Sequence, residues 1–320
     1  MRATIGITAG DPAGIGLEVA LKAIPQTLDS ARCVLFTTRS AFDRNQPLVA
    51  HRWVDSLDEL NDDHILFVHA VAQGSKDVRW GETSEAAGRD ALLCLEAAGL
   101  AALKSQIDGI VTAPVNKYAI GKTFVGQTDF LAAQANVQQF AMAFFAPTFK
   151  VVLATIHMSL REALARLSTD LYVDLIRFVD AELQRFRFKS RRIAVAAINP
   201  HAGEGGMFGD EDQRILKPAV DLCIKEGIAV SGPHSADSLY YWAHTGGCDV
   251  VIAPYHDQGL IPIKLIAHGD STNVTLGLPY VRTSPDHGTA FDIAGKGVAD
   301  CTGMISAMKC AVDLIDRTLL

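Results

Sequence analysis

Short apolar, β-branched runs alternate with longer amphipathic stretches along nearly the whole chain, which predicts an α/β fold with a largely parallel sheet. TIGIT at residues 4–8 and CVLFTT at 33–38 read as buried strands, separated by the turn AGDPAGIG and the helical run LEVALKAI. Residues 83–104 form a long Ala/Leu helix pattern, opened by a Ser/Thr cap with Glu close behind. DGIVTA at 108–113 predicts a further strand, ending in the loop PVNK. The texture then changes: residues 140–149 and 150–156 predict two adjacent strands turning at Pro147–Thr148, an antiparallel insertion. Helices follow at 159–167 and 171–185, then a strand at 193–198 that runs into the glycine-rich loop NPHAGEGGMFGDED. A helix at 215–226 and a strand starting near Ile228 precede DVVIA at 249–253, a core strand ending in PYHDQG. Short strands at 273–276 and 280–282 and a closing helix over 298–319 complete the pattern, with no repeat, low-complexity tract or linker.

A length of 320 residues gives room for about two domains. With 49% hydrophobic and 20% charged residues, the composition supports a sizeable core and excludes a disordered or fibrous chain. Lys and Arg total 29 against 36 Asp and Glu, a net charge of −7. Such a chain has no global attraction to phosphate backbones or anionic lipid, so neither nucleic acid nor membrane is an expected partner. Any anionic ligand must be caught by a local cluster. No apolar run reaches the ~18 residues that span a bilayer, and the opening MRATIGITAGDPAGIG lacks the apolar core of a secretion signal. Cys33, Cys94, Cys223, Cys248, Cys301 and Cys310 contain no CxxC pair and read as reduced, small hydrophobes. The expectation is a soluble cytoplasmic globular protein.

Three of the ten histidines share a position type. His157 follows VVLATI, His201 follows IAVAAI through Asn199–Pro200, and His256 follows DVVIA through Pro254–Tyr255. Ligands of parallel α/β sheets bind beyond the carboxyl ends of strands, and three neutral imidazoles suit a divalent transition metal with open positions for substrate. The pattern alone is equally that of three unrelated loop histidines. Asp257 stands where it can orient the His256 imidazole. Lys264, Asn273 and Arg282 recur at nine-residue intervals, on or beside presumed strands. They read either as a carboxylate or phosphate site or as solvated surface charges. General nucleotide motifs are absent. GDPAGIG does not match G-x-G-x-x-G, and Asn116 stands where a P-loop ending at Gly121–Lys122–Thr123 needs its first glycine.

Six blocks taken together resemble the PdxA family: GITAGDPAGIGLEVALKA, TAPVNK, GQTDFLA, NPHAGEGGMFGDED, APYHDQGLIPIK and RTSPDHGTAFDIAGKG. They occur in family order and run from the first strand to the last helix. The resemblance implies an isocitrate/isopropylmalate-dehydrogenase-like fold, with two α/β domains around a central cleft. Residues 1–130 with about 255–320 would form one domain, and about 131–254 a second that carries the interface of a homodimer with shared active sites. It makes His157, His201 and His256 ligands of a divalent metal (zinc, magnesium or cobalt), one of them supplied across the dimer. Gln127, Thr128, Lys264, Asn273 and Arg282 become substrate-binding, with Lys264 and Asp257 in catalytic roles, Lys264 as a proton relay. His287, Gly288, Thr289, Ala290 and Asp292 become contacts to NAD or NADP. The implied reaction oxidises 4-hydroxy-L-threonine phosphate to 2-amino-3-oxo-4-(phosphooxy)butanoate, which decarboxylates to 3-amino-2-oxopropyl phosphate in pyridoxal phosphate biosynthesis. Rival readings are a related metal-dependent dehydrogenase acting on a phosphorylated sugar acid or an aromatic cis-dihydrodiol, and a metal-dependent hydrolase. Two departures from the family stand out. Its GHTE is here Gly126–Gln127–Thr128–Asp129, and its GIGPE has Leu17 in place of proline. Gln127 keeps a donor amide but no capacity for positive charge.

Overall fold

The computed structural model describes residues 2–267 and 269–317. In chain order the strands are β1 (Ala3–Thr8), β2 (Ala31–Thr38), β3 (His51–Val54), β4 (Leu66–Ala72), β5 (Gly109–Thr112), β6 (Ala141–Phe145), β7 (Lys150–Leu153), β8 (Ile193–Ala196), β9 (Val230–His234), β10 (Val250–Ala253), β11 (Thr272–Leu276) and β12 (Val281–Pro285). The α-helices are α1 (Gly16–Ala23), α2 (Arg39–Asn45), α3 (Glu85–Leu103), α4 (Lys117–Ile120), α5 (Gln127–Gln134), α6 (Leu160–Arg166), α7 (Thr169–Arg185), α8 (Lys217–Lys225), α9 (Ala236–His244), α10 (His256–Ile266) and α11 (Thr302–Asp316). No helix among the described residues is long and apolar enough to cross a membrane.

The chain divides into two units, one running to Phe140 and resuming at Thr272, the other spanning Ala141–Ser271. The first carries strands in the order β3-β4-β2-β1-β5-β12-β11. Its pairs are parallel, as in Ile5↔Cys33 and Ile5↔Gly109, except for antiparallel β11–β12. β1 is buried at all six positions, as expected of a strand covered on both faces. Helix α3 begins where the Ser84 hydroxyl accepts the Ala87 amide at 3.2 Å, and lays Cys94, Leu95 and Ala98 into a core with Phe36, Phe67 and Leu131. The second unit runs β6-β7-β10-β8-β9. β6 and β7 are the antiparallel pair read from the sequence, with Ala143 opposite Val152. β7, β10, β8 and β9 are parallel. A capping box between Ser159 and Glu162 starts α6, and the Ser168 hydroxyl caps α7.

Four expectations shift. The division expected near residues 130 and 255 falls at 140/141 and 271/272, which carries His256, Asp257 and Lys264 into the second unit. The reason lies in α10, which begins at His256 where a loop was expected. It buries Leu260 and Ile263 among Val151, Leu153 and Ala253 of the strands beneath it. A Cβ on Gly259 would come within 2.6 Å of Leu153, so this close helix–strand contact requires glycine. Lys264 is accordingly exposed on a helix and not beside a strand. β3 and β4 were not anticipated, because the 51–72 segment mixes exposed polar residues with its apolar ones. The closing helix starts at Thr302, after an irregular segment, and residues 318–319 of its expected span lie outside the described residues.

Candidate active site

Sheet order explains where the strand-end histidines meet. β7 and β10 are hydrogen-bonded neighbours, and the chain leaves both at their carboxyl ends toward His157 and His256. The two imidazole centroids stand 5.8 Å apart. They line a pocket of about 230 Å³ with Ile156, Met158, Leu160, Ala163, Tyr255 and Asp257. The Asp257 carboxylate lies 2.7 Å from His256 Nδ1, and in the neutral tautomer that donates to it the Nε2 lone pair is free to bind a metal. That is the donor chemistry of a metal ligand with its orienting carboxylate.

His201 leaves β8, on the other side of β10, and enters an unusual turn. His201, Ala202, Gly203, Glu204 and Gly205 all have positive φ (53°, 54°, 79°, 40° and 68°), one turn of left-handed helix. Each non-glycine residue in that conformation costs roughly 1–2 kcal/mol, so three of them require outside support. Asp212, fully buried, provides it by accepting from the Ile198 amide at 2.8 Å and from the Asn199 amide and Nδ2 at 3.0 Å each. Asn199 Nδ2 also donates to Glu211 at 2.7 Å. Sequence reasoning missed Asn199, Glu211 and Asp212 because acids before a helix read as ordinary first-turn residues. Among the described residues, no three His, Cys, Asp or Glu side chains of this one chain are close enough to share a metal ion. The single chain therefore brings His157 and His256 together without completing a three-residue metal group among the described residues.

In the first unit, Arg282 on β12 is 3% exposed. Its guanidinium donates to the hydroxyls of Thr128 (3.2 Å), Thr275 (3.0 Å) and Thr112 (2.7 Å), while Nε has no partner. Hydroxyls satisfy N–H groups but cancel no charge, and no carboxylate among the described residues pairs with this cation. Burial pushes its pKa down to about 10, the mark of a charge without a counterion. Asn273 on β11 and Gln127 at the start of α5 each carry a buried side-chain carbonyl oxygen with no partner. Gln127 Nε2 donates to the Ala113 carbonyl at 3.2 Å, so the amide expected to serve a ligand is engaged with backbone, leaving its oxygen as the unpartnered group. Thr112 and Thr275 were not singled out beforehand, since threonine is an ordinary strand residue. Replacing Gln127 by histidine restores a group able to carry charge. We expect affinity for a phosphorylated substrate to rise about fivefold, near 1 kcal/mol, and more at pH 6 than at pH 8. Calorimetric titration at the two pH values checks this.

The HGTAFDIAG segment packs against the GDPAGIG turn. The Ile15 amide donates to the Thr289 carbonyl at 3.0 Å, and a Cβ on Gly14 would stand 2.8 Å from that same oxygen. Ala290 adopts a φ of 43°. His287 Nδ1 lies 3.0 Å from the Gly288 carbonyl, while its Nε2 is buried without a partner. An orphaned acceptor on a loop built of backbone groups fits a ligand that supplies hydrogen-bond donors.

A model of the family described as "Pyridoxal phosphate biosynthetic protein PdxA" matches residues 25–311. A curated relative from Desulfosudis oleivorans, named 4-hydroxythreonine-4-phosphate dehydrogenase, is 37% identical across 98% of this chain and 96% of its own. One from Salmonella typhimurium, named D-threonate 4-phosphate dehydrogenase, is 38% identical across 97% of this chain and 98% of its own. The crystal structure of 4-hydroxythreonine-4-phosphate dehydrogenase from Klebsiella pneumoniae superposes with a TM-score of 0.90 at 36% identity, covering 98% of each chain. A β-decarboxylating dehydrogenase from Thermococcus kodakarensis shares the fold alone, with a TM-score of 0.53 at 14% identity. Fold and full-length similarity together define an α/β oxidoreductase that shares its fold with a β-decarboxylating dehydrogenase. The chain belongs to the PdxA family.

Proposed function

We propose that this protein is an NAD(P)-dependent, metal-assisted dehydrogenase of 4-hydroxy-L-threonine phosphate, whose oxidation product loses carbon dioxide to give 3-amino-2-oxopropyl phosphate. The observation that carries the reading is Arg282, a buried cation set among three threonine hydroxyls with no carboxylate partner. It makes the first unit a seat for an anionic group. The carbonyl oxygen of Asn273 accepts from hydroxyl or ammonium groups of the same small substrate, Gln127 borders it, and Thr128 contributes its hydroxyl. His157 and His256, with His201 contributed by a second copy of the chain, are the residues to hold a divalent metal, which supplies Lewis-acid polarisation of the reacting oxygen. Asp257 keeps the His256 ring in the ligating tautomer. The 287–292 segment seats the dinucleotide, which supplies the hydride acceptor. Lys264 serves as the proton relay, giving up and recovering a proton at its ammonium nitrogen.

This reading includes a homodimer whose two chains share the active sites. Ile261 and Leu265 on α10 are 65% and 82% exposed, the apolar surface a subunit contact would cover. The test is complementation. Protomers carrying His201→Ala, mixed with protomers carrying His157→Ala, should regain activity in the heterodimer. His157→Ala mixed with His256→Ala should not, because both residues belong to the same half-site. Recovery in the second pairing, or none in the first under verified subunit exchange, would overturn the shared site. A second reading is supported by the similarity itself, since the relative named for D-threonate 4-phosphate is as close as the one named for 4-hydroxythreonine-4-phosphate. Both names describe a phosphorylated four-carbon acid with a donor group beside the carboxylate, so a side-by-side turnover assay decides between them.

A further inference from the structure

A Glu–Lys pair on α1 holds the backbone at the far end of the HGTAFDIAGKG segment through three hydrogen bonds. Lys22 Nζ donates to Glu18 Oε1 at 2.8 Å, to the Gly297 carbonyl at 2.9 Å and to the Ala299 carbonyl at 2.8 Å. All three ammonium protons are thus placed on protein oxygens. Glu18 Oε1 also accepts the Ala299 amide at 2.9 Å. Beyond this point Asp300 accepts from the amide and hydroxyl of Thr302 at 2.9 and 2.7 Å, opening α11. The near end of the segment is fixed by the same helix region, through the Ile15 amide on the Thr289 carbonyl. Between the two anchors, the backbone turns through Ala290, Gly295 and Gly297 at positive φ and forms no regular element. An irregular stretch of that length has little intrinsic stiffness, so its shape depends on what holds its ends.

An exposed i,i+4 ion pair on a helix contributes little by itself. This pair differs: Glu18 has a side chain only 10% exposed, and both partners spend their remaining hydrogen bonds on backbone 275 to 281 residues away in sequence. Such a three-bond clasp to irregular backbone is not needed for α1 itself, which is buried through Leu17, Val19 and Ala20.

We propose that Glu18 and Lys22 are positioning residues for dinucleotide binding, clasping residues 297–299 so that the 287–292 segment is held in its binding shape before the cofactor arrives. The proposal rests on the reading of residues 287–292 as the dinucleotide seat. A pre-ordered loop spares the ligand the ordering entropy, so losing the clasp weakens cofactor binding and leaves the chemical step intact.

The test uses the full-length protein with Lys22→Met, which keeps the aliphatic stem, and Glu18→Gln, which keeps an acceptor for Ala299 and removes the charge. Amide hydrogen exchange reads the segment directly, and fluorescence titration with NADH and NADPH reads binding. We expect faster exchange at 297–299 in Lys22→Met, about tenfold weaker binding of the preferred dinucleotide, kcat within about twofold and an unchanged KM for the phosphorylated substrate. Glu18→Gln should show a smaller effect in the same direction, and it stands in if Lys22→Met fails to fold. Wild-type exchange rates in both variants would overturn the clasp. Faster exchange with unchanged dinucleotide affinity would overturn its role in binding. Asp292→Ala, titrated in parallel, separates that failure from failure of the underlying reading: if it too binds dinucleotide normally, the seat itself is misplaced, whereas weakened binding there leaves only the clasp refuted.

Discussion

Replacing Arg282 by methionine should lower kcat/KM for the phosphorylated substrate by about a thousandfold, roughly 4 kcal/mol, as expected when one partner of a buried charged pair is removed. The stability of the ligand-free protein should behave quite differently. Arg282 is 3% exposed, bonded to hydroxyls alone, and has its pKa pushed down to about 10. A folded-state pKa below the unfolded value means that the charged form is disfavoured by folding at neutral pH, and that this burden is lifted only as pH rises above about 10. Methionine fills similar volume without that charge, so denaturant unfolding of the ligand-free variant should differ from wild type by less than about 1 kcal/mol in either direction. Wild-type protein should gain thermal stability when an anionic substrate binds, and Arg282→Met should gain almost none. A variant that loses several kcal/mol of stability while retaining substrate affinity would mark Arg282 as a structural residue.

His256→Ala should lose bound metal and cut turnover by at least about a thousandfold, the several kcal/mol that Lewis-acid assistance provides. Asp257→Ala should lower metal affinity 10- to 100-fold and leave the protein folded, since its carboxylate acts only by holding His256 Nδ1 at 2.7 Å. The Asp257 side chain is 73% exposed, so its removal disturbs no core. Metal content by elemental analysis, read beside turnover, checks both variants. Full metal occupancy in His256→Ala would remove it from the ligand set.

Much of this was legible in the sequence because strands buried on both faces leave continuous apolar runs. TIGIT, CVLFTT and DVVIA read as β1, β2 and β10, and the antiparallel β6–β7 turn showed in the break at Pro147–Thr148. The position type shared by His157 and His256 was readable too, as residues just past strand ends. Their meeting was not, because it depends on β7 lying beside β10, a pairing between strands a hundred residues apart. The left-handed turn at His201 was hidden for a related reason: its support comes from Asp212, whose role is visible only once its three donors are in place. His256 and Lys264 were misread as loop and strand residues because Gly259 and Pro262 interrupt the helical pattern of α10, where close packing on β7 and β10 outweighs propensity. The donor amide of Gln127 is visible in the sequence, but its engagement with the Ala113 carbonyl depends on the fold.

A dehydrogenase of a phosphorylated hydroxy amino acid is tested most directly by a turnover assay that follows two products at once. The metal-loaded protein is mixed with 4-hydroxy-L-threonine phosphate and NAD, then NADP, with near-ultraviolet absorbance and released carbon dioxide recorded together. D-threonate 4-phosphate and the unphosphorylated amino acid are run beside it. Reduced nicotinamide and carbon dioxide should appear in equal amounts, with the phosphorylated amino acid the best of the three substrates. Absence of reduced nicotinamide with that substrate, or a clear preference for D-threonate 4-phosphate or the unphosphorylated compound, would contradict it.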